Sequence, residues 1–355
     1  MTKLIKNVAL VTLPALVILF VVLEVFFRFV IPATDRPRAC FDVDQRIFKY
    51  CPDAGEGLAT FGKYARQRAH WRINSDGWNS PIDYSREKKR PRIAVIGDSY
   101  VEAFQVDVDK SFPSLMRAEI GDRYDVYSFG ISGASLSEYL NMSRYADRLF
   151  DPDILIFNIR YNDFTESLFK INPADSQMLM LDISDGVVTE TVPRPNHSFS
   201  QFSLKRRILR ESAVVRYLVI NLRVQQSIYD VFSKPTYGGN TEIETLERNR
   251  DPVETATAYV FEHLREENPG RRIILVMAAP RQDIYAGTLE RSRVLFLNDL
   301  VRRLAFEQGF ELLDLTEPMK SDYEANGIPF NSPWDAHWNE YGHRFVARQV
   351  LALGF

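Results

Sequence analysis

Ser99, His337 and Asp335 are the residues whose types and spacing suit acyl transfer. A serine hydroxyl attacks an ester when a base takes its proton, a carboxylate orients the base, and N–H donors meet the developing oxyanion. Ser99 closes the stretch Arg92-Ile93-Ala94-Val95-Ile96-Gly97-Asp98-Ser99. The run 93–96 is apolar and rich in β-branched residues, which reads as a strand buried on both faces. A serine just past the carboxyl end of a parallel strand stands in the crevice where open α/β sheets bind ligands. The competing reading of Asp98-Ser99 is a plain helix cap. Histidine suits the base, because its ordinary pKa of about 6.5 lies near working pH. Of the five histidines, only His337 has an aspartate, Asp335, two residues before it. On its own, Asp335-Ala336-His337 also reads as a capping loop. Gly133 and Asn162 follow the strand-like runs 125–129 and 154–159, and offer a backbone N–H and a side-chain amide to an oxyanion. Each alone reads as a turn residue; all four positions at strand ends point to one site.

The elements that must hold these residues follow from hydrophobic periodicity. Strands are expected over 93–96, 125–129, 154–159, 272–277 and 310–315, and helices over 112–120, 136–150, 252–267, 289–308 and 340–353. Strand, small-residue turn and helix recur at crossover spacing, so the fold class is α/β with a doubly wound parallel sheet. Residues 165–250 interrupt this rhythm as an insertion. Within it, 178–183 and 187–192 flank Asp185-Gly186 as a hairpin. An amphipathic pattern runs over 204–232 through Leu209, Val214, Leu218, Leu222 and Ile228. Placed beside the strand ends, the insertion could wall or cover a cleft.

The N-terminus reads differently. Lys3 and Lys6 precede an apolar stretch over 8–31 broken only by Pro14, Glu24 and Arg28. A bilayer-spanning helix needs about 20 residues, so 1–31 is read as an uncleaved membrane anchor; a cleaved signal peptide, with an apolar core of about 7–15 residues, is the alternative. Glu24 and Arg28 are four apart and can pair on one helix face. Segment 32–90 is rich in Arg, Pro and Gly and reads as irregular chain whose scattered aromatics pack on the domain over 91–355. Cys40 and Cys51 are the only cysteines. Oxidised, they would close a short loop worth up to about 3 kcal/mol and suit an extracytoplasmic compartment; two free thiols are the other reading. A net charge of −3 and the lack of a basic stripe give no ground for nucleic acid binding. Neither zinc-ligand spacing nor a dinucleotide glycine loop is present, so no metal or cofactor is expected.

Gly97-Asp98-Ser99-Tyr100, Gly130-Ile131-Ser132-Gly133, Tyr161-Asn162-Asp163 and the run Asp335-Ala336-His337-Trp338-Asn339-Glu340-Tyr341-Gly342-His343 resemble the motif blocks of the SGNH hydrolases, the GDSL esterase and lipase group. The resemblance spans roughly residues 70–165 and 250–355. It implies a three-layer α/β/α sandwich with a five-stranded parallel sheet, similar to flavodoxin. It also implies Ser99 as nucleophile, His337 as base and Asp335 as orienting acid. The backbone N–H groups of Ser99 and Gly133 and the amide of Asn162 would form the oxyanion hole. Three positions depart from the pattern: Arg160 replaces a glycine, Ser128 replaces an asparagine, and the acid lies two residues before the histidine, with Trp334 at the usual place. If Asp335 fails to reach the imidazole, a backbone carbonyl would orient it, leaving a Ser–His dyad. The activity implied is an esterase removing O-acyl groups, acetyl first, from an envelope polysaccharide or glycan. An O-acetyltransferase and a non-catalytic glycan-binding or assembly module are the alternatives.

Overall fold

The computed structural model describes residues 8–173, 177–195, 208, 210–222, 236–238 and 240–355. The chain divides into two compact units, one of residues 1–36, 57–69 and 198–233, the other of residues 37–56, 70–197 and 234–355.

In the first unit, the helix Leu13–Phe29 carries Pro14 in its first turn, where the missing N–H costs nothing. The stretch Leu10–Phe29 has mean hydropathy 2.7 and no buried residues, and is long and apolar enough to cross a membrane. Glu24 and Arg28 pair at 2.7 Å as their spacing predicts. The Glu24 carboxylate also accepts the N–H groups of Ala213 and Val214 and the Ser212 hydroxyl, which caps the short helix Ala213–Arg216. Phe27 stacks on Tyr217 at 4.0 Å. In the amphipathic stretch, Val214 is buried and Leu218 exposed, while Leu204, Leu209, Ile228 and Phe232 lie outside the described residues.

The second unit is built on a parallel sheet. Its strands are β1 (Arg92–Gly97), β2 (Asp125–Gly130), β3 (Ile154–Ile159), β4 (Arg272–Met277) and β5 (Glu311–Asp314), ordered β5-β4-β3-β1-β2. Every residue of β1 and β3 is buried, as the apolar runs 93–96 and 154–157 at their centres predict. The helices are α1 (Ser99–Glu102), α2 (Phe112–Ile120), α3 (Leu136–Phe150), α4 (Asn162–Glu166), α5 (Arg250–Glu267), α6 (Arg281–Ala286), α7 (Leu295–Gln308), α8 (Thr316–Asn326) and α9 (Glu340–Leu351). Helices α2 and α9 cover one face and α3, α5 and α7 the other, so the three-layer, flavodoxin-like order is the observed one. On the α2/α9 side, Ile93, Val95, Ile156 and Val276 of the sheet meet Phe112, Met116, Phe345 and Val350.

Several boundaries differ from the sequence reading. Segment 32–90 is not irregular throughout: Ala39–Asp42 pairs with Ile47–Tyr50, and Glu56–Phe61 with Gln67–Arg72. Strands this short, with charged residues among their apolar ones, leave little alternation to read. Cys40 and Cys51 are disulfide-bonded, with Cα atoms 4.9 Å apart. The insertion hairpin is Leu181–Ser184 against Val187–Glu190; Asp185 and Gly186 turn it with φ of 52° and 78°, the positive pair a tight two-residue turn requires. Helix α7 starts at Leu295 because Leu289–Arg291 forms a separate 3₁₀ turn.

Candidate active site

In the order β5-β4-β3-β1-β2, the connections leave β1 in opposite directions. That reversal opens a crevice at the carboxyl ends of β1 and β3, and the loops after β1, β2 and β3 carry Ser99, Gly133 and Asn162. Asp98 ends the turn by accepting the Tyr100 N–H at 2.9 Å, which caps α1 and leaves Ser99 as its first residue. Capping and presentation of the hydroxyl are therefore one arrangement.

His337 arrives from the loop before α9, and its Nε2 lies 2.7 Å from Ser99 Oγ. Two side chains hold that loop. The Tyr100 hydroxyl donates to the Ala336 carbonyl at 2.7 Å, and Arg281 Nη2 donates to the same carbonyl at 2.7 Å and to the Tyr100 hydroxyl at 2.6 Å. The Tyr100 and His337 rings sit 4.7 Å apart.

Asp335 reaches the imidazole by an unusual route. Its Oδ1 accepts the backbone N–H of His337 at 2.9 Å and lies 3.3 Å from Nδ1. Nδ1 itself has no aligned hydrogen bond, because an acid two residues back folds onto the peptide before it meets the ring. The pair is electrostatic rather than a linear donor–acceptor contact. Burial would push the Asp335 carboxyl up, but the nearby His337 ring and its charge, with the His337 backbone N–H, hold it below the usual carboxylate value. Gln105 Nε2 donates to the other oxygen at 3.2 Å.

In the turn after β2, Gly133 has φ +87°, a left-handed conformation that favours glycine, and open space where a Cβ would stand. Asn162 opens α4 and donates from Nδ2 to Glu166 Oε2 at 2.8 Å; an amide nitrogen carries a second hydrogen for another acceptor. A cavity of about 390 Å³ is lined by Gly133, Ser135, Glu166, Ile171, Met178 and Met180, among others.

The three departures have structural outlets. Arg160 is buried, with its guanidinium 3.8 Å from the Tyr100 ring centre, where a cation is favoured by the ring face. Burial pushes the Asp98 carboxyl up, and the positive charge of Arg160 opposes that. Ser128 Oγ meets the Tyr84 hydroxyl at 3.2 Å. Trp334 lies in the His337 loop and Asp335 takes the position beside the ring. Sequence reasoning missed Gln105 and Arg281 as neighbours of the site, since neither has a local pattern that announces its partner, and it placed Tyr100 and Arg160 only as members of the motif blocks around Ser99 and Asn162. The exposed His70 has its Nδ1 3.2 Å from Asp107 and is no part of this constellation. Among the described residues, no group of three or more His, Cys, Asp or Glu side chains could hold a metal ion.

A doubly wound parallel sheet thus brings a serine, a histidine and an aspartate together at its switch point. Residues 95–345 match the GDSL-like Lipase/Acylhydrolase family, and the chain belongs to that family. It is thus an enzyme of ester hydrolysis or acyl transfer. Similar solved structures include the acetyl xylan esterase AlAXEase, at 15% identity and TM-score 0.42 over 74% of this chain and 100% of that one. A lipolytic G-D-S-L family protein from Veillonella parvula DSM 2008 aligns at 13% identity and TM-score 0.40, over 74% and 97% of the two chains. TesA aligns at 12% identity and TM-score 0.40, over 74% and 96%. No curated protein matches the chain.

Proposed function

We propose that the protein is a serine esterase that passes through an acyl-enzyme on Ser99. The observation that carries this reading is the 2.7 Å approach of His337 Nε2 to Ser99 Oγ, which is hydrogen-bond reach for proton abstraction. As Oγ attacks the acyl carbonyl, His337 takes its proton. The N–H groups of Ser99 and Gly133 and the Asn162 amide receive the charge on the carbonyl oxygen, and Asp335 stabilises the imidazolium. The imidazolium then protonates the leaving alcohol. Water, deprotonated by His337, attacks the ester carbon of the acyl-enzyme, and the returning proton frees Ser99.

The substrate we propose is an O-acyl group, acetyl first, on an envelope polysaccharide or glycan. The apolar N-terminal helix supports a site held at a membrane through residues 8–31. The Cys40–Cys51 disulfide supports placing the domain outside the cytoplasm. The test is hydrolysis of a chromogenic acetate ester by the detergent-solubilised chain, beside Ser99→Ala. Loss of the activity in the variant is expected; equal rates would remove the serine mechanism.

A further inference from the structure

Glu102 is a carboxylate only 2% exposed, three residues after Ser99 on α1, and it takes no part in the chemistry above. Three donors converge on it. Its Oε1 accepts the Tyr50 hydroxyl at 2.5 Å and the Ser132 N–H at 3.0 Å, and its Oε2 accepts the Ser132 hydroxyl. Ser132 is the residue immediately before Gly133, so clamping it at both its N–H and its side chain fixes the residue whose rotation aims the Gly133 N–H. Glu102 stands at the other end of the same short helix that Ser99 begins. One buried side chain therefore ties the nucleophile's helix to the turn that faces the oxyanion. The two backbones also pass close together: a Cβ added to Gly130 would lie 2.2 Å from the Glu102 nitrogen. Burial pushes the Glu102 carboxyl up, while the Ser132 and Tyr50 donors favour its ionised form. Tyr50 ends the hairpin that the Cys40–Cys51 disulfide closes, so a segment outside the sheet braces the clamp.

We infer that Glu102 is a positioning residue for the oxyanion turn, with Tyr50 as its brace. The inference rests on the acyl-transfer reading of Ser99. Its test compares kcat and KM for a neutral acetate ester in the detergent-solubilised chain and in Glu102→Ala, Glu102→Gln, Tyr50→Phe and Ser99→Ala, with thermal midpoints recorded for each. Misplacing one oxyanion donor costs about 10²–10³ in kcat, so Glu102→Ala should lose kcat on that order, with KM within about threefold. Glutamine retains an acceptor for the Ser132 N–H and a donor toward a hydroxyl oxygen; it should recover kcat to within about tenfold of wild type. Tyr50→Phe should lose severalfold in kcat at unchanged KM. A folded Glu102→Ala with wild-type kcat overturns the inference, as does a glutamine variant impaired as badly as the alanine one. Should Glu102→Ala not fold, Tyr50→Phe decides, and wild-type kcat there overturns it. Full activity in Ser99→Ala would sink the acyl-enzyme itself; an inactive Ser99→Ala beside an unimpaired Glu102→Ala sinks the positioning role alone.

Discussion

Replacing Asp335 by asparagine isolates its charge. The variant keeps an Oδ1 to accept the His337 N–H, now at 2.9 Å, so the turn survives, and Gln105 can rotate its amide to meet the new side chain. What disappears is a negative charge 3.3 Å from Nδ1. At that separation, Coulomb's law gives about 5 kcal/mol for an effective dielectric of 20 and about 1.3 kcal/mol in bulk water. The carboxylate side chain is 7% exposed and the imidazole 26%, so solvent screens the pair partly, and about 2–3 kcal/mol of imidazolium stabilisation is the working value. That converts to a drop in kcat of about 30- to 150-fold. It is a smaller loss than expected where the acid accepts a well-aligned bond from Nδ1 and also fixes the tautomer. The assay is steady-state hydrolysis of an acetate ester, with thermal midpoints to show that both chains are folded. Wild-type kcat in the variant would refute the electrostatic role and leave a Ser–His dyad. A loss as deep as that of Ser99→Ala would show that Asp335 does more than its charge allows.

Asn162→Ala removes a proposed oxyanion donor and should lower kcat by about 10²–10³ with KM little changed, read in the same assay. Equal loss through KM would instead make Asn162 a ground-state binding contact. His343 is buried, and burial, with the positive charges of His337 and Arg281 adding to it, pushes its pKa down to about 3. A folded pKa below the unfolded value means that stability present above about pH 6.5 is lost as pH falls. Between pH 7 and 5 this one group should remove about 2 kcal/mol of unfolding free energy. Denaturant unfolding followed by tryptophan fluorescence should show that loss in wild type and not in His343→Gln, which still offers an acceptor to the Phe112 N–H; equal slopes would contradict it.

Much of the sheet and the turn residues could be read in advance because their signals are local. The runs 93–96, 154–157 and 273–277 are unbroken and apolar, so β1, β3 and β4 fall where periodicity places them. Gly133 and Asn162 could be singled out because each follows an expected strand, β2 and β3. The approach of His337 to Ser99, 238 residues apart, was legible from their strand-end positions and from the motif blocks that hold them. The props around it were not. Arg281 reaches the Ala336 carbonyl 55 residues away, and Tyr50 meets Glu102 across 52; no spacing rule links such residues before the chain has folded. The hairpins between 39 and 72 escaped because four to six residues with mixed polarity carry too little alternation to outweigh their charges.

Treating the full chain with a fluorophosphonate and mapping the adduct by peptide mass spectrometry tests the shared pocket most directly. A phosphonyl group on Ser99, with labelling strongly slowed in His337→Ala, is the predicted result. An unlabelled Ser99 in a chain that still hydrolyses acetate esters, or labelling indifferent to His337, would contradict it.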